Sequence, residues 1–168
     1  AVANKEAKND KIKYLQMSMS ELDKLSMKFD IVYSSLAFHY VPDFQKLAND
    51  IYNLLNTGGY ILFSQEHPIV TATFDGKQHY NKDENGNYAS FTFSNYNQPG
   101  ERDTFWYVDG VKKYHRTFSN IIAALCRVGF VIDTVCEPSP IENATDFIPN
   151  ILEKELIKPT FLIVKASK

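Results

Sequence analysis

The chain contains little cysteine, since Cys126 and Cys136 are the only two among 168 residues. Two cysteines cannot form a disulfide scaffold or a zinc knuckle, and their apolar surroundings predict that both are buried thiols. No apolar run approaches the ~20 residues that a membrane helix needs. No secretory signal is visible either, so we expect a cytoplasmic protein without membrane contact.

Net charge is also small, at −2. No overall field therefore attracts nucleic acid or anionic lipid, and neither is expected as a partner. The one local basic cluster, Lys112-Lys113 with His115-Arg116, is interpreted as a solvated hairpin end. The length and an apolar content of 44% suit a single globular domain.

Motifs for hydrolysis are missing. The sequence has no Ser-His-Asp arrangement with nucleophile-elbow spacing. It has no HExxH, no CxxC and no P-loop lysine, and we predict no metal site. Such a chain suits chemistry that a reactive cofactor carries out, with the protein supplying position and a shaped pocket.

Periodicity predicts alternating strands and helices in the first third of the chain. β-branched and aromatic residues indicate strands over 29–34 and 60–65. Between them, residues 43–55 have helical spacing, which begins after Pro42 and ends before Gly58-Gly59. A further strand is predicted over 11–17, followed by an N-capped turn at 18–21. This order predicts parallel strands joined by a right-handed crossover, and therefore an open α/β fold.

The alternation of strand and helix patterns stops after residue 68. Turn signals at 75–76, 84–86, 99–100 and 109–110 separate β-like runs, which predicts an inserted antiparallel hairpin region over 69–113. A helix follows over 116–128, capped by Thr117 or Ser119 and ended by Gly129. Strands are predicted over 130–136 and 159–165, with a loop and a short helix between them.

Three loops should meet at one edge of the sheet. Ligands of open α/β sheets lie beyond the carboxyl ends of the parallel strands. The three predicted ends are followed by Ser18-Met19-Ser20, by Ser34 to His39, and by Glu66-His67-Pro68. We therefore expect a crevice lined by hydroxyls, apolar side chains and imidazoles.

The stretch "FDIVYSSLAFHYVPDFQKLANDIYNLLNTGGYILFS" resembles the class I S-adenosylmethionine-dependent methyltransferases of the small-molecule type. "KIKYLQMSMSEL" looks like the preceding strand and adenine-binding loop of that family. "HRTFSNIIAALCRVGFVIDTVCEP" and "PTFLIVKASK" resemble its later helix–strand segment and its closing strand. The resemblance implies a Rossmann-like α/β sheet, S-adenosyl-L-methionine as cofactor and a small-molecule methyl acceptor.

The resemblance also implies roles for single residues. Ser18 and Met19 would contact the adenine, and Ser34, Ser35 and Leu36 would line the methionine end of the cofactor. His39 either takes part there or only braces its loop. His67 and His115 are the candidate general bases, although a histidine before Pro68 can equally brace a turn. The implied cofactor-binding residues are Ser18, Met19, Ser34, Ser35, Leu36 and His39; the implied substrate residues are Glu66, Tyr114 and Arg116, the last two being equally compatible with a surface position.

One departure from the family is large. Its acidic, glycine-rich loop of the form E/D-x-G-x-G-x-G and its ribose-binding acidic residue are not in this sequence. Residues 1–8 are interpreted as the end of a helix that stops at Asn9-Asp10. We therefore expect a carboxyl-terminal portion of a methyltransferase, inactive alone, whose open sheet edge favours a homo-oligomer.

Two alternatives stay open from the sequence. One is another nucleotide-binding Rossmann-like enzyme, such as a dehydrogenase. The other is a non-catalytic α/β interaction module that kept the fold and lost the site.

Overall fold

The computed structural model describes residues 9–168. The helix end predicted for residues 1–8 lies outside the described residues. Among the described residues, no helix combines the length and the apolar character that crossing a bilayer requires.

Eight strands and four α-helices form the described fold, with short 3-10 helices between them. The strands are β1 (Phe29–Ser35), β2 (Leu55–Glu66), β3 (His79–Lys82), β4 (Tyr88–Thr92), β5 (Gly100–Trp106), β6 (Val108–His115), β7 (Val131–Cys136) and β8 (Phe161–Ser167). The helices are α1 (Phe44–Leu54), α2 (Pro68–Thr71), α3 (Phe118–Val128) and α4 (Ile151–Ile157). The 3-10 helices are Met19–Lys24, Phe38–Tyr40 and Glu142–Asp146.

A four-stranded sheet in the order β1-β2-β8-β7 organises the molecule. β1 and β2 are parallel, with Ser35 opposite Ser64, as the strand–helix–strand order predicts. β8 runs antiparallel to both β2 and β7. The parallel pair therefore ends at one edge of the sheet, and that edge carries two of the three predicted ligand loops, those after β1 and β2.

Local signals in the sequence explain where the two long helices begin and end. The Asp43 side chain accepts a hydrogen bond from the backbone N–H of Lys46 at 2.8 Å and caps α1. Thr117 caps α3 in the same way through Asn120, at 3.1 Å. Gly129 ends α3 with φ of 105°, a left-handed conformation that glycine adopts without strain. These predictions are confirmed.

The core lies on one face of the sheet, beneath α1 and α3. Phe63 of β2 is fully buried, and its ring centroid lies 4.9 Å from that of Phe38 and 6.1 Å from that of Phe44. Inward residues of β8 are also fully buried. On β1, however, Ile31 and Tyr33 point to the other face and are 51% and 69% exposed. Among residues 9–168 the outer edge of β1 has no partner strand, and self-association through this edge stays a prediction.

The insert consists of two antiparallel hairpins, β3–β4 and β5–β6, as predicted. Arg102 fastens the second hairpin, since its guanidinium donates to the carbonyls of Ala72 (3.1 Å) and Gln98 (2.7 Å). The first hairpin packs on α4, where the Lys158 ammonium lies 5.2 Å from the Tyr80 ring centroid. Buried cations thus hold the parts of the insert together and join its first hairpin to the end of α4.

Two predictions are wrong. The strand predicted over 11–17 does not form, because a strand needs a neighbour for its hydrogen bonds and the described residues place none beside this segment. The turn that follows is nevertheless present as the 3-10 helix capped by Ser18.

The predicted burial of both cysteines is the other error. Cys126 and Cys136 are free and exposed. Cys126 directly follows the buried Leu125 and is turned by about 100° away from the core on the same helix. Cys136 is the last residue of β7, which lies at the edge of the sheet.

Candidate functional site

A pocket of about 420 Å³ opens where β1 and β2 end. The two strand ends are held together because the backbone N–H of Leu36 donates to the carbonyl of Ser64 at 2.9 Å. The lining is mostly apolar and comes from both strand ends, the insert and the start of β8. It includes Leu36, His39, Tyr40, Glu66, Val70 and Phe161.

Leu36 occupies an unfavourable backbone conformation at the mouth of this pocket. Its φ is 49°, in the left-handed region, where a leucine costs about 1–2 kcal/mol. Backbone strain of this kind concentrates at functional sites. Its side chain is exposed and borders the pocket, so the strained residue lies where the pocket meets the end of β1.

His39 is a buried, neutral histidine beside the pocket. Its Nδ1 accepts a hydrogen bond from the backbone N–H of Glu66 at 3.3 Å, so the ring proton is on Nε2. Burial lowers the pKa of His39 from the usual 6.5 to about 4. The imidazole therefore carries no charge at neutral pH, and it links the loop after β1 to the end of β2.

Glu66 is the carboxylate of the pocket. Its Oε1 lies 2.6 Å from Nζ of Lys113, and the two side chains are 17% and 8% exposed. Its Oε2 is buried and has no hydrogen-bond partner among the described residues. Lys113 comes from β6 in the insert, so this ion pair ties the insert to the end of β2.

Lys113 also corrects the interpretation of the basic cluster. Lys113 and His115 are buried, whereas Lys112 is exposed and pairs with Glu101 at 2.8 Å. The alternation along β6, which turns Lys113 and His115 inward, is the reason. That alternation was the one signal in the sequence that could have identified Lys113.

The two candidate bases have both ring nitrogens engaged. His67 accepts from the backbone N–H of Ile69 at 3.2 Å and pairs with Glu137 at 2.9 Å. His115 pairs with the Thr71 hydroxyl and with the Tyr96 carbonyl, each at 2.8 Å. Burial is the main cause that lowers the pKa of each. His67 caps α2, and His115 anchors the insert.

Comparison with known proteins identifies the family. A family profile described as "Methyltransferase domain" matches residues 1–63. The crystal structure of an S-adenosylmethionine-dependent methyltransferase from Mesorhizobium loti is 38% identical, with a TM-score of 0.75 over 88% of this chain and 67% of that one. The chain belongs to the S-adenosylmethionine-dependent methyltransferases.

Two further proteins are similar to this chain. The crystal structure of a putative S-adenosylmethionine-dependent methyltransferase from Listeria monocytogenes is 28% identical, with a TM-score of 0.82 over 99% of this chain and 73% of that one. An uncharacterized protein from Haemophilus influenzae is 34% identical over 110 residues, which are 66% of this chain. This chain spans 43% of that curated relative.

The Rossmann-like methyltransferase fold predicted from the sequence is thereby confirmed. The family uses S-adenosylmethionine as its methyl donor. Neither the dehydrogenase alternative nor the interaction module is favoured by these relatives.

Two predicted substrate residues of the methyltransferase lie away from the pocket. The Tyr114 hydroxyl is 3.4 Å from Glu101. Arg116 donates to the carbonyls of Tyr114 at 3.1 Å and of Pro42 at 2.9 Å, and burial lowers its pKa to about 10. Arg116 braces the loop before α1, so the structure does not bring it together with Glu66.

Ser18 and Met19, the predicted adenine contacts, are not among the residues that border the pocket. Ser18 caps the 3-10 helix Met19–Lys24, and its hydroxyl lies 2.8 Å from that of Ser20. Met19 packs against the core. Ser34 and Ser35 lie on β1 opposite Phe63 and Ser64. Of the predicted cofactor residues, Leu36 and His39 border the pocket, and the cofactor-binding roles of all six stay predictions. In residues 9–168 no three acidic, histidine or cysteine side chains are grouped closely enough to hold a metal ion.

The charge state of His39 gives a testable pH dependence. Unfolded histidine titrates near 6.5 and folded His39 near 4, so the unfolded chain binds more protons between these values. The contribution of His39 to stability is therefore complete above pH 6.5 and is lost as the pH falls towards 4. In an NMR titration we expect the ring signal of His39, assigned with His39→Gln, to move only in the lower part of this range. A midpoint near 6.5 would contradict its burial as a neutral ring.

Proposed function

We propose that the complete protein transfers a methyl group from S-adenosylmethionine to a small-molecule acceptor bound between the ends of β1 and β2. The observation that carries this proposal is the apolar pocket of about 420 Å³ at the carboxyl ends of two parallel strands. A pocket of this size and composition suits a small organic ligand. In this proposal the protein accelerates the transfer by holding donor and acceptor in line and by excluding water from the pocket.

The residues around the pocket fit this cofactor. Among the described residues, the lining of the pocket contains no lysine or arginine, and its one carboxylate, Glu66, is already paired with Lys113. The lining therefore presents no cation that would repel the positive charge on sulfur. His39 is neutral because burial lowers its pKa, so it adds no repulsion. When bound, S-adenosylmethionine supplies an electrophilic methyl group.

The chain's own residues would position this ligand. Ser34, Ser35 and Leu36 would hold its amino-acid end at the end of β1, and Ser18 and Met19 would contact its base. Val70 and Gln78 of the insert also border the pocket. We propose that residues 69–113 cover the bound acceptor and set which acceptor is used.

The 168-residue chain is expected to bind the cofactor weakly. The family's glycine-rich loop and ribose-binding acidic residue are not in this sequence, and such groups supply much of the polar anchoring. Activity is therefore proposed for the complete protein and not for this chain alone.

Calorimetry with S-adenosylmethionine tests the proposal. The titration is run on this chain and on the chain extended by any sequence that its gene places before Ala1. We expect the extended form to bind at least about tenfold more tightly. Absence of binding in both forms would refute the proposal and support an interaction module.

A matched pair of variants locates the site. Leu36→Lys places a cation at the pocket mouth and is expected to abolish binding in the extended form. Tyr107→Lys is the control, since Tyr107 also has a positive φ, of 58°, but lies exposed at the tip of the β5–β6 hairpin. Equal binding by the two variants would place the cofactor elsewhere.

A further inference from the structure

We propose that the methyl acceptor is an apolar molecule bearing an uncharged hydroxyl group, and that Glu66 binds this hydroxyl through Oε2. This inference rests on the proposed function, because it takes the pocket between β1 and β2 as the acceptor site. It adds the chemical class of the acceptor and the group that receives its proton.

Glu66 stands between two adjoining cavities. One is the apolar pocket, and the other is a polar cavity of about 30 Å³ that Arg102, Lys113 and Thr73 also border. Oε1 is held by Lys113 at 2.6 Å, whereas Oε2 is buried without a hydrogen-bond partner in the described structure. A buried acceptor in this state raises the free energy of the fold, and a donor that reaches it recovers that cost.

A small movement brings Oε2 to the pocket. The terminal torsion of a glutamate side chain is broad and soft. A modest rotation moves both carboxylate oxygens and turns Oε2 towards the pocket, and the flexible side chain of Lys113 can follow Oε1. Glu66 borders the pocket already. No rearrangement of the backbone is therefore needed for a ligand hydroxyl to reach Oε2.

The charges around Glu66 select an uncharged donor. An ammonium ligand would add a second cation beside a carboxylate that Lys113 already neutralises, with Arg102 bordering the same small cavity. A carboxylate ligand would meet Glu66 itself, a like charge without a donor. A hydroxyl supplies the one hydrogen that Oε2 lacks and adds no charge.

The rest of the lining selects an apolar body. Leu36, Val70 and Phe161 border the pocket and offer no hydrogen bond from their side chains. An aromatic or alicyclic alcohol fits this combination of one acceptor and apolar walls.

Glu66 is also the proton acceptor in this proposal, in place of the candidates His67 and His115. Both ring nitrogens of His67 and of His115 are engaged, whereas Oε2 is not. During transfer the oxygen–methyl bond forms as the sulfur–methyl bond breaks, and the electron pair of the broken bond stays on sulfur. The hydroxyl proton passes to Oε2 and from there to water.

A set of naphthalene probes tests the inference by direct binding. We would measure, by NMR titration of this chain, the affinities of naphthol, methoxynaphthalene, naphthoate and naphthylmethylammonium. Naphthol is expected to bind about tenfold more tightly than each of the others, as one hydrogen bond to a buried carboxylate predicts. Equal affinities for naphthol and methoxynaphthalene, tightest binding of the ammonium or naphthoate, or binding of no probe would each overturn the inference.

A double variant shows whether Glu66 is responsible. Glu66→Leu with Lys113→Met replaces the ion pair by apolar side chains of similar size, an exchange that folds commonly tolerate. In this variant naphthol and methoxynaphthalene are expected to bind equally, while Glu84→Gln, in the β3–β4 turn, keeps the tenfold preference. If the double variant keeps the preference, Glu66 does not bind the hydroxyl.

The test separates this inference from the proposed function. Probe binding needs neither cofactor nor methyl transfer, so a preference for naphthol without S-adenosylmethionine binding in any form supports the acceptor class and refutes the transferase. Cofactor binding without a preference for naphthol supports the transferase and refutes the inferred acceptor class.

Discussion

Replacing Lys113 alone by methionine is expected to destabilise the fold by about 3 kcal/mol or more, because it leaves the carboxylate of Glu66 buried without its partner. The side chains of Lys113 and Glu66 are only 8% and 17% exposed, so water replaces the lost ion pair poorly. The free energy of unfolding is measured by urea denaturation at neutral pH.

The double variant Glu66→Leu with Lys113→Met is the matched control. It removes both charges together, and it should recover most of the stability that Lys113→Met loses. If the single and double variants are equally unstable, the loss comes from packing at residue 113 and not from an unpaired carboxylate.

The second large effect is expected at Arg102, which is 2% exposed. Arg102→Met keeps an apolar chain near Phe74, whose ring centroid lies 4.0 Å from the guanidinium carbon. It removes, however, the donors to the carbonyls of Ala72 and Gln98. The Ala72 carbonyl is buried, and an unsatisfied buried carbonyl costs about 1–3 kcal/mol, whereas losing the less buried bond to Gln98 costs about 0.5–1.5 kcal/mol. We therefore expect a total loss of about 1.5–4.5 kcal/mol.

Arg102→Met should also loosen the insert itself, in addition to lowering the overall stability. Without Arg102 the β5–β6 hairpin loses its attachment to the segment after α2, and limited proteolysis should cut the insert before the sheet. Lys112→Met, one strand away, removes only exposed ion pairs and should leave both the cleavage pattern and the unfolding midpoint unchanged. Faster cleavage in Lys112→Met than in Arg102→Met would contradict this account.

The fold was predictable where the signals are local. The caps Asp43 and Thr117, the stop at Gly129 and the helical spacing between them are read directly from neighbouring residues. The strand expected over 11–17 failed because strands depend on a partner distant in sequence. The exposure of Cys126 was missed because one step along α3 separates it from the fully buried Leu125.

The candidate site was predictable only where its residues follow recognisable strands. Leu36, His39 and Glu66 follow parallel strands, and the rule that ligands meet the carboxyl ends of such strands places them at one edge. Lys113 is 47 residues from Glu66 and belongs to a hairpin. No local pattern could reveal that pairing. The same limit applies to His115 and Arg116, whose partners Thr71 and Pro42 are 44 and 74 residues away.

The central position of β8 has a consequence for biosynthesis. β8 follows all other described elements in the chain, yet it lies between β2 and β7 and contributes Leu162, Val164 and Ala166 to the fully buried core. While the ribosome is still translating the preceding segments, β2 and β7 have no strand to join them. The sheet can therefore close only after Phe161–Ser167 has left the exit tunnel, and the nascent chain must wait with its core open until then.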